Sequence, residues 1–418
     1  MSKPLIDVPK EKLQQVRMDM FRKVQREKRR KKRIVSATFI TMLCLSLLFS
    51  IRVSPTIASQ VAKIPGFQAI VTAIAIDKGI KDIVDHEYYE EINVTQSRKG
   101  LALTLQGVVA DNSGFVLFYD ADASFDISKL NLEQVQLFQG DEEIECGCTF
   151  TMNASNQTYI SSSVKYNFLK PIAYTSKDFK AVFHFHDEEK GNIKISLPFS
   201  LKNEIAKEKI FTANRTIEVN GQRFTITQIR RSPLKVALDI EVAKDNTMQL
   251  LALDDVAVMT ESGERRDSIR NDISTGGDIR DGKFTLYLQS NYFDDPASLT
   301  VMIGAVQAVP KGEDFIEVDF GTKEILTKPT YFKGDISIVQ QNVAVKMNKN
   351  NEGKLLMLSD AIKEDGTPLE FKGVTISRDE QYVVETSQFE EYNGKAKLYL
   401  NYYTNPIGEN IEVTIPLQ

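Results

Sequence analysis

The sequence predicts a mainly β protein: a short cytoplasmic helix, one transmembrane helix, then tandem Ig-like β-sandwich domains outside the membrane. Three observations carry this. Residues 34–51 hold no charged side chain, charge is divided unevenly along the chain, and from Ile92 onward only short runs of period-two alternation appear, broken by Asn, Asp and Gly. At 418 residues, 42% hydrophobic and 26% charged, the chain suits about three globular domains, and wholesale disorder and a polytopic membrane protein are excluded.

The formal net charge of −5 conceals a split. Residues 1–33 carry 13 Lys/Arg against 4 Asp/Glu, whereas the remainder carries 39 against 53. Within the tail, Pro9 suits a first helical turn, and Leu13, Val16, Met20 and Val24 recur at helical spacing with Phe21 flanking them. A lone helix has no core for such a stripe, so the stripe needs a partner. The inner leaflet and a protein groove both fit a basic amphipathic helix. Nucleic acid does not, because no aromatic interleaving or recognition fold accompanies the basic residues. Burying four apolar side chains contributes ~6–12 kcal/mol gross against ~2–5 kcal/mol for coupled folding, which permits a protein complex without demanding one.

Residues 34–51 follow the basic run Lys28–Arg33. At ~1.5 Å per residue they span about 27 Å, and Arg52 and Val53 complete a ~30 Å hydrocarbon core by snorkelling. The positive-inside rule places residues 1–33 in the cytoplasm and the carboxy-terminal ectodomain outside a cell membrane. The competing reading, a cleaved signal peptide with Thr56-Ile57-Ala58 as its small-residue site, requires an n-region over thirty residues long. Residues 54–90 read as a helical connector, punctuated by Pro65 and Gly66. Phe67, Ile70 and Ile74 fall at helical spacing as its docking face, and Ile80, Ile83 and Val84 follow Gly79.

Beyond the connector, self-comparison relates three strands: Ala181–His186, Phe284–Gln289 and Lys395–Asn401. Each precedes a second alternating strand, beginning at Ile193, Leu299 and Ile411. The expected sandwiches are therefore 91–203, 204–325 and 326–418, each closed by an equivalent hairpin of about the size such domains use.

Chemistry-bearing motifs are sparse. His184 and His186 share a strand face, and only Cys146 and Cys148 could complete a tetrahedral metal set. Their alignment with Tyr287/Gln289 and Tyr399/Asn401 places the histidines on the polar face instead. The two cysteines could otherwise form a short-loop disulfide. Ser162–Lys165 matches SxxK without the companion elements of penicillin-binding enzymes. The Asn-x-Ser/Thr matches at Asn93, Asn153, Asn156 and Asn214 indicate exposed loops. No phosphate loop, dinucleotide fingerprint or nucleophile elbow is present. The expectation is a protein that is not an enzyme, with no catalytic, cofactor-binding or metal-binding residues.

The order of features resembles a family of Gram-positive membrane proteins. Val8-Pro9 with a helical stripe, the basic run, one membrane helix, Arg52-Val-Ser-Pro55, Ala58 and Ile64-Pro-Gly-Phe67 are similar to the anti-sigma-factor-like proteins whose ectodomain begins with a domain of unknown function. The likeness continues through the Gly79 segment, Tyr88-Tyr89 and Lys99-Gly-Leu-Ala-Leu-Thr-Leu105, about the first third of the chain. It implies an extracytoplasmic-function sigma factor as partner and envelope sensing by the ectodomain. The tail departs from zinc-type anti-sigma domains in lacking the HxxxCxxC motif, so any sigma contact falls to Leu13, Val16, Met20, Phe21 and Val24. The alternative is a surface structural or adhesive protein, bound to a cell-wall component or another surface protein, with the tail serving topology alone. Replacing Lys28–Arg33 by glutamines should weaken or invert the insertion. Protease accessibility of an amino-terminal tag reads this directly, and an unchanged orientation contradicts the assignment.

Overall fold

A computed structural model describes residues 68–150, 158–168, 174–269, 274–348 and 358–417, together with Met152 and Ile172. The expected tail, the apolar stretch 34–53 and the connector as far as Phe67 lie outside the described residues. Among the described residues, no helix is long and apolar enough to cross a membrane. The described residues begin with two helices, α1 (Gln68–Ile76) and α2 (Lys78–Asp85). Residues 73–418 form one compact body, and its described residues are almost wholly β, arranged in six antiparallel sheets.

The first module contains β1 (Glu90–Arg98), β2 (Leu101–Asp111), β3 (Gly114–Ala123), β4 (Asn131–Gln139), β5 (Glu142–Glu143), β6 (Cys146–Phe150), β7 (Tyr159–Phe168), β8 (Asp178–Asp187) and β9 (Gly191–Ser200). They form two sheets, β1-β2-β3-β7-β6 and β5-β4-β8-β9. Alternation explains their association. Along β9, Ile193, Ile195, Leu197 and Phe199 are buried while the residues between them are exposed. Those four join Leu103, Tyr119 and Val164 of the facing sheet in one hydrophobic cluster.

The second module contains β10 (Lys209–Val219), β11 (Gln222–Arg231), β12 (Lys235–Val242), β13 (Met248–Asp254), β14 (Ala257–Met259), β15 (Arg265–Asp267), β16 (Thr275–Asp278), β17 (Lys283–Gln289) and β18 (Ser298–Pro310). One sheet runs β10-β11-β12-β17-β16, and the other places β13 and β14 beside β18, with β15 beyond β14. The third comprises β19 (Phe315–Asp319), β20 (Glu324–Thr327), β21 (Asp335–Val339), β22 (Asn342–Asn348), β23 (Leu358–Lys363), β24 (Phe371–Arg378), β25 (Tyr382–Phe389) and β26 (Lys395–Leu400). Its sheets, β20-β19-β26-β23 and β21-β22-β25-β24, share a core around Ile316, Val343, Phe389 and Leu398.

The last strand, β27 (Pro406–Pro416), leaves the third module and pairs with β18, from Ser298 opposite Pro416 to Gln307 opposite Pro406. This corrects the expected boundary at residue 325 and the expected final hairpin. The first two modules share one strand order, and their details coincide. Asn93 and Asn214 sit at left-handed φ values of 55° and 43° beside matching bulges in β1 and β10. Lys99-Gly100 and Asn220-Gly221 both hold positive φ at two positions, the geometry of a tight hairpin turn. Thr95 and Thr104 pair at 2.8 Å, and Thr216 and Thr225 at 2.9 Å. In this frame β18 and β27 correspond to β8 and β9. The expected match of Phe183 with Leu286 therefore fails: Leu286 lies on β17, which takes the place of β7. Period-two alternation makes all such strands alike and does not encode their neighbours. Where β8 and β9 are joined by the turn Asp187–Gly191, β18 and β27 are separated by the entire third module.

A chain ending at residue 325 should therefore lose the contribution of Ile407, Ile411, Val413 and Ile415 to the second core, about 5 kcal/mol, and bare the edge of β18. Replacing residues 311–405 by a short Asn-Gly turn should restore that edge. Thermal unfolding compares the two chains. Equal stability without β27 contradicts the insertion.

Candidate functional site

Helix α2 occupies the junction of the first two modules. Its sequence, Lys-Gly-Ile-Lys-Asp-Ile-Val-Asp, puts Ile80 and Ile83 on one face, and both are buried. Asp77 caps the helix, its Oδ1 accepting from the Gly79 amide at 2.8 Å and the Ile80 amide at 3.4 Å. Gly79 permits a close approach, since a Cβ there would stand 2.8 Å from the Ser290 nitrogen. The Lys78 amide donates to Gln289 Oε1 at 3.2 Å, and Lys78 Nζ donates to the Arg265 carbonyl at 3.0 Å. Beyond the helix, His86 stacks on Phe293 at 4.4 Å.

The chain leaving α2 grips the first module. Tyr88 Oη donates to the Ala110 carbonyl and accepts from the Ala206 amide, both at 2.9 Å. The Glu90 carboxylate accepts from the Lys202 and Asn203 amides. Directly between the modules, Asp111 is fully buried. Its Oδ1 accepts from the Ser113 and Gly114 amides, and its Oδ2 accepts from the Leu234 amide at 2.7 Å. Lys235 Nζ donates to Asn167 Oδ1 at 2.8 Å.

Where α2 meets the second module lies Arg266, 1% exposed. One nitrogen, Nη2, meets three carboxylates: Asp82 of α2 at 2.5 Å, Glu264 at 3.1 Å and Asp294 at 3.4 Å. Arg266 Nε and Nη1 make no hydrogen bond among the described residues. A buried guanidinium stripped of its anions is costly, by about 3–5 kcal/mol in comparable pairs, so Asp82 fixes the place of the helix. Burial pushes the Asp82 carboxyl up from its ordinary range; the attraction of Arg266 opposes this, and Asp294 and Glu264 reinforce it. Burial likewise raises Asp77, against the pull of Lys165.

Elsewhere between the first two modules, a cleft of about 640 Å³ opens. Asn167 and Phe168 form its first-module wall, and Thr227 of β11 with residues of β12, β16 and β17 forms the other. Asp239 accepts from Arg230 Nε at 2.7 Å, Arg230 Nη2 at 2.8 Å and Thr285 Oγ1 at 2.7 Å. These bonds outweigh the upward push of burial and hold its carboxyl below the ordinary range.

Of the residues expected at a site, Leu13, Val16, Met20, Phe21, Val24 and Phe67 lie outside the described residues. Ile70 and Ile74 both lie on α1, the former buried and the latter half-buried. Sequence reasoning missed Asp82 and Arg266. Their 184-residue separation leaves no local signal, although an acidic residue between two buried isoleucines marks the helix as polar toward its neighbour. His184, hydrogen-bonded to Gln136 at 2.8 Å, and His186, beside Asn192 at 2.7 Å, lie on β8. Phe183 and Phe185, between and beside them, point inward. Cys146 and Cys148 stand on β6 in the facing sheet, so the structure does not gather the four residues into one ligand set. Burial raises the Cys146 thiol to about 11, with Glu143 adding to it.

Two family matches overlie this architecture. Residues 27–122 match a domain of unknown function (DUF4179) and residues 208–338 match a family of unknown function (DUF5643). The first runs from just before the basic run into β3, and the second covers β10 through most of β21. No curated protein matches the chain. Among solved structures, the conserved domain protein from Bacillus anthracis is 16% identical with a TM-score of 0.38, covering 55% of this chain and 82% of its own. An uncharacterized protein from Listeria monocytogenes, in complex with glucose, magnesium and calcium, is 6% identical with a TM-score of 0.15, covering 69% of this chain and 29% of its own. At these TM-scores neither likeness carries an argument.

Because Nη2 alone meets the carboxylates, Arg266→Lys should retain much of the clamp and Arg266→Met should not. Hydrogen exchange at Ile80 to Val84 should be at least tenfold faster in Arg266→Met, before global unfolding. Equal protection in all three proteins contradicts the clamp. The raised carboxyls of Asp77 and Asp82 add stability that is complete below their unfolded value near 3.8 and is lost as pH rises through their folded values. Protection of α2 should thus fall as pH rises from about 3.8 through those folded values, with a shallower fall in Asp82→Asn.

Proposed function

We propose that the chain is a single-pass, amino-terminus-in membrane protein that signals envelope state, with a tail that binds an extracytoplasmic-function sigma factor. The observation carrying this reading is α2. A passive spacer has no need of an eight-residue helix capped by Asp77, set between two modules and fixed by a buried arginine. The same segment leads back to Phe67, Ile70 and Ile74, and from there to the apolar stretch 34–53. The match over residues 27–122 also supports treating the basic run, apolar stretch, connector and first strands as one inherited unit. On this reading the carboxy-terminal modules are extracytoplasmic Ig-like sandwiches.

The mechanism follows from what α2 holds. A single membrane helix has no bistable element of its own with which to relay a rigid change. Opening the first two modules removes Asp82 from Arg266 and withdraws Ile80 and Ile83, freeing the connector. Pro55, Pro65 and Gly66 punctuate its sequence ahead of α1, and local opening there would cost little. A membrane-proximal cut, then cleavage within Ile34–Ile51, would release the tail with whatever it holds.

Purified full-length protein should capture an extracytoplasmic-function sigma factor from lysate of its own cells, and Leu13→Asp with Met20→Asp should abolish capture. Unchanged capture by the double variant defeats the helix-in-groove contact. Should deletion of residues 5–24 leave transcription unaltered, the surface structural or adhesive reading takes its place.

A further inference from the structure

We propose that the cleft between the first two modules binds a neutral saccharide, and that its occupancy is passed to α2 through the Asn167–Lys235 contact. The second clause deepens the sensing role proposed above and rests on it; the first stands alone.

The volume, about 640 Å³, lies in the range of small-ligand sites. The lining selects the chemistry. Its carboxylates are already matched, Asp239 by Arg230 in a two-pronged contact and Glu241 by Lys283 at 3.4 Å, so the walls are close to electrically balanced. A strongly charged ligand would have to displace one of these pairs. Ile240 and Phe284 are turned into the protein at 3% and 5% exposure, so Phe168 and Tyr287 supply the apolar part of the lining, and a wholly apolar ligand would cover the polar groups of Asn167 and Lys235 without matching them. An extended peptide cannot pair along β16, whose four residues include Gly277 at a left-handed φ of 79°. What remains is a half-buried aromatic ring, Tyr287, surrounded by hydroxyl and amide groups. Gly276 keeps that ring in place, since a Cβ there would lie 2.8 Å from Tyr287 Oη. Lys235 Nζ stands 4.6 Å from the ring centroid. An aromatic ring with an ammonium over one face, edged by hydroxyls and an amide, offers charge-assisted and neutral partners to the hydroxyl rims of sugar rings.

The route to α2 is short. Asn167 and Lys235 line this cleft and also a second, narrow cavity on whose wall Asp77 and Ile80 of α2 lie. Their 2.8 Å hydrogen bond joins the modules between the two spaces. A ligand bridging both walls holds the modules at the separation that α2 requires.

Full-length protein in lipid nanodiscs, titrated calorimetrically with chitotetraose and with maltotetraose, tests this. At least one neutral tetrasaccharide should bind. Tyr287→Ala and Gly276→Val should each weaken it tenfold or more, and Tyr287→Phe much less, with circular dichroism confirming the fold of each variant. In the wild type, bound sugar should slow hydrogen exchange at Ile80 to Val84 several-fold. Failure of both sugars to bind folded protein overturns the site, as does binding indifferent to both Tyr287→Ala and Gly276→Val. Binding with no change at α2 overturns the coupling. Sugar binding without sigma-factor capture leaves the site standing and defeats the proposed signalling role.

Discussion

A guanidinium group taken out of water must keep its anions, and in this protein one of those anions belongs to α2. Arg266 on β15 draws Asp82, Glu264 and Asp294 to a single nitrogen. Glu264 and Asp294 come from the second module itself; Asp82 does not. Moving α2 therefore breaks a buried pair, not a surface one, and the penalty scales accordingly. The remaining contacts are set by that placement. Gly79 touches Ser290, His86 lies on Phe293, and Tyr88 reaches both Ala110 and the linker at Ala206. A helix of eight residues could not be stable alone, and it exists because the junction supplies both its apolar surface and its charge.

The same logic of shared parts joins the second and third modules. Because β27 returns to β18, the third module is attached by two strands instead of one, and neither end can separate without disturbing the second sheet. Arg280 reinforces the crossing, reaching Asp360, Asn401 and the Leu400 carbonyl. Tyr402 Oη donates to Asp254 at 2.9 Å, and the Asn405 amide donates to Gln307 at 2.6 Å. The three modules thus form a chain of interlocked joints, and each joint is built around an arginine or a buried carboxylate.

The β character of this body, its three cores and the helical segment before Glu90 could be read from alternation and turn residues, because those signals are local. Asn220-Gly221 announces its hairpin, and Ile193 to Phe199 announce their face. Partner choice is different. Leu286 and Phe183 both sit in alternating strands, yet β17 and β8 occupy different sheets, and nothing in a period of two distinguishes them. The insertion was hidden for the same reason, since β27 looks like any second strand of a hairpin until its pairing with β18 is seen. The site was less legible still. Ile80 and Ile83 marked a helix face, but Asp82 gains its meaning only from Arg266, far along the chain. His184 and His186 drew attention by type, and their surroundings show a polar strand face.

The energy of the Asp82–Arg266 interaction is the quantity on which the account rests. A double-mutant cycle on full-length protein, with Asp82→Asn, Arg266→Met and both together, isolates it from the other changes each substitution makes. The pair should couple by roughly 1.5–3 kcal/mol in the opening of α2, measured by hydrogen exchange at Ile83. A coupling indistinguishable from zero, with both single variants folded, would mean that α2 is held by its isoleucines alone and that the buried charge is incidental.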